Sequence, residues 1–209
     1  KGLVSKDWTR KFPTNASPYT SAMIFIVRKG NPKGIKDWGD LAKPGTQIIV
    51  PHPKNTGNGR NSYLSAWAWA LRQPGGNDRS ALEFVGRMLK NAPLFAAGGR
   101  DATTTFMQRK IGDALITFEC EAELIAREFG KGEFELVYPS LTMQTEFPVA
   151  VVDKVVDKKG SRKGPGVPVV SVVPGGAGER GPELSAAPGC RSAQEVRRPV
   201  SASEDLYGG

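Results

Sequence analysis

Two short segments of this chain could hold an anion by hydrogen bonding alone. Asn55-Thr56-Gly57-Asn58-Gly59 and Gly98-Gly99-Arg100-Asp101 each stand between an apolar run that reads as a strand and a periodic run that reads as a helix. The first backbone N–H groups of a helix have no partner within it, and the aligned peptide dipoles give that end about half a unit of positive charge. Glycine at such an end lets a ligand reach the backbone without meeting a Cβ. Two such ends converging would cradle an oxyanion, with no bond made or broken. Ordinary glycine-containing loops that follow strands in α/β folds have the same composition, so local pattern leaves both readings open. Neither segment is a Walker loop, since no Lys-Ser/Thr follows Gly57 or Gly59 at the required spacing, and neither is a dinucleotide fingerprint.

Other chemistries find less support. His52 is the only histidine, which leaves no readable Ser, His and Asp set, and Glu119, Glu121 and Glu123 are more simply a solvated or capping face of a helix. The two cysteines, Cys120 and Cys190, form no CxxC pair and lie far from His52 in sequence, so neither a zinc site nor any cofactor is expected. Cys120 reads as a partly buried free thiol. The formal net charge of +8 would suit a nucleic-acid binder, but the 29 lysines and arginines are scattered along the 209 residues instead of clustered. Diffuse basicity fits equally well a receptor whose field favours capture of an anion. No apolar run approaches the roughly 20 residues needed to cross a bilayer.

The elements that must position the two loops follow an α/β pattern from Lys1 to Lys163. Strands are expected at Ala22–Arg28, ended by Gly30-Asn31-Pro32, and at Thr46–Val50, with a short helix through Trp38 and Leu41 between them. After the first loop, a helix carries Leu64, Trp67 and Leu71 at spacings of three and four; Trp67 and Trp69 read as packing residues. Beyond the Gln73–Asn77 turn, a second helix has Asp78 as its cap and Leu82, Val85 and Leu89 as its apolar stripe. Pro93–Ala96, the second loop and a helix through Phe106 repeat the strand, loop, helix unit. A strand over Ala114–Phe118 then runs into a helix over Glu119–Phe129 closed by Gly130, and two further strands are expected at Phe134–Tyr138 and Phe147–Val152.

Several stretches, taken in order, carry a specific resemblance. Ser17-Pro18-Tyr19-Thr20-Ser21, Val27-Arg28-Lys29-Gly30-Asn31-Pro32-Lys33, Asp37-Trp38, Pro51-His52-Pro53-Lys54, GGRDATTTF through Phe106, Ile111-Gly112-Asp113 and VAVVDKVVDKKG over 149–160 are similar to the bacterial periplasmic sulfate and thiosulfate receptors that serve ABC importers. The similarity spans residues 3 to 163. It implies an α/β fold, with one lobe of a type II periplasmic binding protein built on a mixed sheet flanked by helices, plus an incomplete second lobe. On that reading residues 1–21 are a remnant of lobe 1, 22–152 form lobe 2 with a hinge strand at each end, and 153–163 return to lobe 1. The resemblance makes Thr56 a hydroxyl donor to the anion and Gly57, Asn58 and Gly99 its amide donors, with Gly59, Arg60 and Arg100 in support. A dianion such as sulfate has no proton to give at neutral pH, so a site made only of donors suits it, whereas a protonated phosphate also needs an acceptor.

The chain departs from the family's pattern in three places. Asn58 stands for a loop glycine, keeping the amide but adding a side chain that narrows the approach. Phe118 stands where a tryptophan would donate its indole N–H, so one ligand bond is lost or replaced. Asp101 stands for a glycine, unfavourable if its carboxylate faces the anion, and Arg100 is expected either to pair with it or to help neutralise the ligand's surroundings.

The resemblance also implies that the stretch supplying the first lobe's donors precedes Lys1, so the chain reads as a fragment that begins inside a longer one. Residues 164–209 are rich in glycine, proline, serine and valine, without helix or strand periodicity, and are expected to be a disordered tail. Permitted codons for Gly164–Gly189, read one base out of phase, spell ARAYLSYLWSPEGQENAARNYLRPRD, close to the helix pair that follows this point in the family; a frameshift after Lys163 is therefore expected. The function implied is a monomeric, non-enzymatic periplasmic receptor that takes sulfate or thiosulfate to ABC transporter membrane subunits, without nucleic acid as a partner. A molybdate or phosphate receptor is the alternative within that class, and a basic nucleic-acid-binding module the alternative outside it.

Overall fold

Alternation of side chains along three central strands divides the interior into two apolar layers. Strands β1 (Tyr19–Arg28), β2 (Ile48–Pro51), β3 (Phe95–Ala96), β4 (Ala114–Phe118) and β5 (Phe134–Val137) lie in the order β3-β2-β4-β1-β5. The computed structural model that shows this describes residues 2–12, 14–130 and 132–160, and the backbone of residues 169–171 and 191–192. Met23, Phe25, Val27, Ile48, Val50, Ala114, Ile116 and Phe118 face one layer; Ile24, Ile26, Ile49 and Leu115 face the other. Such strands are apolar on both faces because helices cover both.

Helices α1 (Trp38–Leu41), α2 (Gly57–Leu71) and α3 (Asp78–Lys90) contribute to the first layer, and α4 (Gly99–Met107) and α5 (Glu119–Phe129) to the second. Strands β2, β3 and β4 are mutually parallel, while β1 runs antiparallel to β4 and β5. The carboxyl ends of β2, β3 and β4 therefore lie along one edge of the sheet, and α2, α4 and α5 all start there.

Strand β6 (Gln144–Glu146) pairs with the first residues of β1, and the Phe147 N–H donates to the Ser17 hydroxyl (3.0 Å) and the Tyr19 carbonyl (3.3 Å). The chain thus enters and leaves the sheet side by side. Strand β7 (Val149–Val151) pairs instead with β8 (Val169–Ser171), α6 spans Asp153–Lys159, and β9 (Arg191–Ser192) pairs with β1. Apart from β8 and β9, the expected character of the tail lies outside the described residues. No described helix is long and apolar enough to cross a membrane.

Several expected details are corrected. The cap of α3 is Asn77, not Asp78: the Asn77 side chain accepts from the Ser80 N–H, and the Ser80 hydroxyl accepts from the Asn77 N–H, a reciprocal pairing that leaves Asp78 inside the first turn. Leu82 is 59% exposed, and the face of α3 that meets the core is Ala81, Phe84, Val85 and Met88. On α2, Leu64 and Leu71 point outward and Ser62, Ser65, Ala66 and Ala70 point inward, because Trp38, Phe84 and Met88 already fill that layer and leave room for small side chains only. The strand expected at Pro93–Ala96 is confined to Phe95–Ala96, and the one expected at Phe147–Val152 to Val149–Val151.

Candidate functional site

Of the three helix starts at this edge, those of α2 and α4 leave their first two amides without a partner among the described residues. At α5, the Cys120 N–H donates to the buried Ser21 hydroxyl (3.2 Å), so a side chain from β1 serves the first turn. Cys120 itself is a buried thiol in no disulfide. At α2, the Thr56 hydroxyl accepts from the Gly59 N–H (2.9 Å), and the Gly57 and Asn58 amides have no partner among the described residues. At α4, Gly98 offers no side-chain cap, and the Gly99 and Arg100 amides are likewise unpaired there.

The two open ends meet. A Cβ built on Gly99 would lie 3.6 Å from the Asn58 Nδ2, so the start of α4 abuts the side chain at the second residue of α2. That residue is about nine-tenths buried: its Nδ2 donates to the Thr117 hydroxyl on β4 (3.3 Å), and its Oδ1 lies 3.4 Å from the Ser62 hydroxyl, which donates at 2.9 Å to the Asn58 carbonyl. A carboxamide from the first turn of α2 therefore stands against the start of α4, within the positive potential of that helix end. The Asn58 side chain turns towards β4 and α4.

The other expected site residues take different roles. The Thr56 proton is spent on the His52 carbonyl (3.0 Å), so Thr56 holds the loop closed instead of presenting a free donor. Gly59 gives its amide to Thr56, and its missing side chain lets α2 start against the end of β2: a Cβ there would overlap the Pro51 carbonyl oxygen and lie 2.8 Å from the His52 carbonyl group. Arg60 lines a mainly apolar groove with His52, Pro53, Lys54, Tyr63, Leu89 and Phe95 on another side of the loop, a groove that contains neither Gly57 nor Gly99. Phe118 precedes α5 with its ring edge-on to Phe147 at 5.0 Å; it supplies no donor and belongs to the apolar layer.

Arg100 does not pair with Asp101. Its guanidinium donates to Glu128 on α5 at 2.7 Å, and Asp101 turns back on its own loop to accept the Ala97 N–H at 2.9 Å. Sequence reasoning missed Thr117, Ser21 and Ser62, the hydroxyls that orient or close these helix starts; a polar residue ending an apolar strand, as in Ala114–Phe118, was the one available signal. Among the described residues no three His, Cys, Asp or Glu side chains gather to hold a metal ion.

Glu121, in the first turn of α5 and largely buried, has its carboxyl pushed above the usual range by burial, against the opposing pull of the Arg100 charge. An acid whose folded value exceeds its unfolded value costs stability once pH climbs past the unfolded value, because the native state then holds the proton more tightly. Glu121→Gln should therefore gain on the parent as pH rises from about 4 to about 7, measured by urea unfolding. A stability difference that stays flat over that interval would count against this environment for Glu121.

Comparison with known proteins fits this geometry. Residues 1–163 match the family described as bacterial extracellular solute-binding protein. The chain is 62% identical over 161 residues to a thiosulfate-binding protein of Pseudomonas aeruginosa, covering 77% of this chain and 48% of that protein. It is 47% identical over 163 residues to a sulfate-binding protein of Escherichia coli, covering 78% and 50% respectively. Among solved structures, the sulfate-binding protein SubI from Mycobacterium tuberculosis superposes with a TM-score of 0.64 at 35% identity, over 71% of this chain and 50% of that one. The chain thus spans about half the length of the relatives it matches. With an open pair of helix starts at the carboxyl edge of a mixed sheet and a family match over three quarters of its residues, the chain belongs to the bacterial extracellular solute-binding proteins.

Proposed function

We propose that this chain carries one anion-binding face of a periplasmic receptor for sulfate or thiosulfate, which delivers its ligand to the membrane subunits of an ABC transporter and catalyses no reaction. The observation that carries this reading is the meeting of α2 and α4, where the Gly57, Asn58 and Gly99 amides have no partner among the described residues and Asn58 Nδ2 lies against Gly99. Neutral donors at two helix starts offer a dianion hydrogen bonds without requiring a proton from it, which favours sulfate and thiosulfate over a hydrogen phosphate. The names of the relatives point the same way. Thr56 and Gly59 shape the first loop, and Phe118 with Phe147 forms an apolar border where the resemblance would place a further donor.

Residues 22–152 serve in this reading as the second lobe, and β1 with the segment around Phe147 as its two crossings to the first. Their adjacency at Ser17, Tyr19 and Phe147 supports that role. A single lobe offers half a cleft, so affinity should be weak and best read by chemical shift. Titrating the isotopically labelled 209-residue chain with sulfate or thiosulfate should move the Gly57, Asn58 and Gly99 amide resonances saturably, with phosphate, molybdate and a short DNA duplex weaker. Equal shifts from phosphate or duplex, or none at those three amides, would remove the support for this reading.

A further inference from the structure

The Asn58 side chain has a role that its backbone amide does not explain. Asn58 as a residue is 9% exposed, yet only one of the two N–H groups of its carboxamide has an acceptor among the described residues, the Thr117 hydroxyl at 3.3 Å. The same nitrogen lies 3.6 Å from the Cβ position of Gly99, beside the amides that begin α4 and have no partner among the described residues. A buried N–H next to other donors, in the positive potential of a helix start, is unfavourable until an acceptor arrives. The orientation is held from behind: Ser62 lies on the oxygen side of the carboxamide and Thr117 on the nitrogen side.

We propose that the Asn58 carboxamide is itself a donor to the bound oxyanion, bridging the α2 and α4 starts through its second N–H. This rests on the receptor reading above and adds a side-chain contact to a site otherwise made of main-chain amides. It also offers a compensation for Phe118, a residue without a donor at the end of the same strand as Thr117. The carboxamide is neutral, so it strengthens the site without a charge that would retain the ligand.

Substitution at Asn58 separates this role from a structural one. Asn58→Asp keeps the shape, and Thr117 and Ser62 can both donate to the new carboxylate; an acidic residue in a first helical turn also favours the helix dipole. Its melting temperature should equal or exceed the parent's. Sulfate affinity, followed by titration at pH 7.5, should nevertheless fall by about 100-fold or more, because a negative charge replaces a donor at contact distance from a dianion. Lowering the pH to about 4.5, where aspartic acids begin to protonate, should restore part of that loss. Asn58→Ala should weaken binding by about 10-fold at both pH values, consistent with one lost hydrogen bond to a charged group.

An aspartate variant that binds sulfate like the parent, or an alanine variant with unchanged affinity, overturns the carboxamide donor and leaves the receptor reading standing. A parent chain that binds neither sulfate nor thiosulfate overturns both. If the aspartate variant does not fold, the alanine variant decides.

Discussion

Replacing Gly59 with alanine should destabilise the chain by about 3 kcal/mol or more and abolish the anion binding proposed above, the larger part of that cost coming from backbone that cannot yield. The added Cβ would overlap the Pro51 carbonyl oxygen and sit 2.8 Å from the His52 carbonyl carbon and oxygen. None of these is the free end of a flexible side chain. Pro51 is in register with Ala96 on β3, the His52 N–H donates to the Ala96 carbonyl at 3.0 Å, and the His52 carbonyl accepts from Thr56. Relief of the overlap requires α2 to move off the end of β2, which carries Gly57 and Asn58 away from Gly99. Gly99→Ala is the matched control, because its Cβ would meet only Asn58 Nδ2, at an ordinary 3.6 Å. Urea unfolding of the two variants should show a large loss for Gly59→Ala and a small effect for Gly99→Ala. A loss below about 1 kcal/mol at Gly59 would mean that the loop accommodates a methyl group, and the close approach of α2 to β2 would not be needed for its geometry.

The contrast between those glycines shows what could be read in advance. That both loops begin helices was legible, because apolar strands precede them and periodic segments follow. Ala114–Phe118 and Glu119–Phe129 took their expected bounds, being punctuated by Gly112 before and Gly130 after. Gln144–Glu146 was not expected as a strand: three polar residues carry no alternation of their own, and their extended form comes from pairing with Thr20, Ser21 and Ala22. The inward face of α2 was also misjudged, since leucine at helical spacing normally marks the core; here Trp38 and Phe84 fill the layer and the helix approaches on serine and alanine.

Within the candidate site, sequence pattern marked the two helix starts but not the fate of each proton. Whether the Thr56 hydroxyl serves a ligand or a cap depends on where the His52 carbonyl lies, a distance that loop composition does not contain. The same holds for Arg60 and Arg100. Both stand next to donor loops in sequence, yet one lines a separate groove and the other pairs with Glu128 across to α5. A helix reverses the direction of a side chain within two residues, so adjacency in sequence says little about which charge faces the ligand.

The second large effect is expected at Arg28, a residue with no contact to the site. At the end of β1 its guanidinium donates to three carbonyls, Phe106 (3.0 Å), Ile111 (3.0 Å) and Gly112 (2.8 and 3.0 Å), and stacks 3.7 Å over the Phe106 ring. Burial lowers its pKa, with the Asp113 charge opposing, and it still carries its charge at neutral pH. The Phe106 carbonyl is in the last turn of α4, where a cation complements the negative end of the helix dipole. Arg28 therefore ties the far end of α4 to the strand beside β4, and Gly99 begins that same helix about 10 Å away along its axis. Arg28→Ala should cost about 2–3 kcal/mol, less than the sum of its hydrogen bonds because the group is only half-buried. It should also weaken the proposed sulfate binding, since a helix released at its carboxyl end no longer presents Gly99 to Asn58 at a fixed distance. Arg28→Lys should fall between parent and alanine in both measurements: one ammonium keeps the charge but cannot reach three divergent carbonyls at once. A lysine variant equal to the parent would show that charge alone holds α4. An alanine variant that loses stability but binds sulfate undiminished would show that the Gly99 end is fixed locally, by Asp101 and Asn58, and not through the length of the helix.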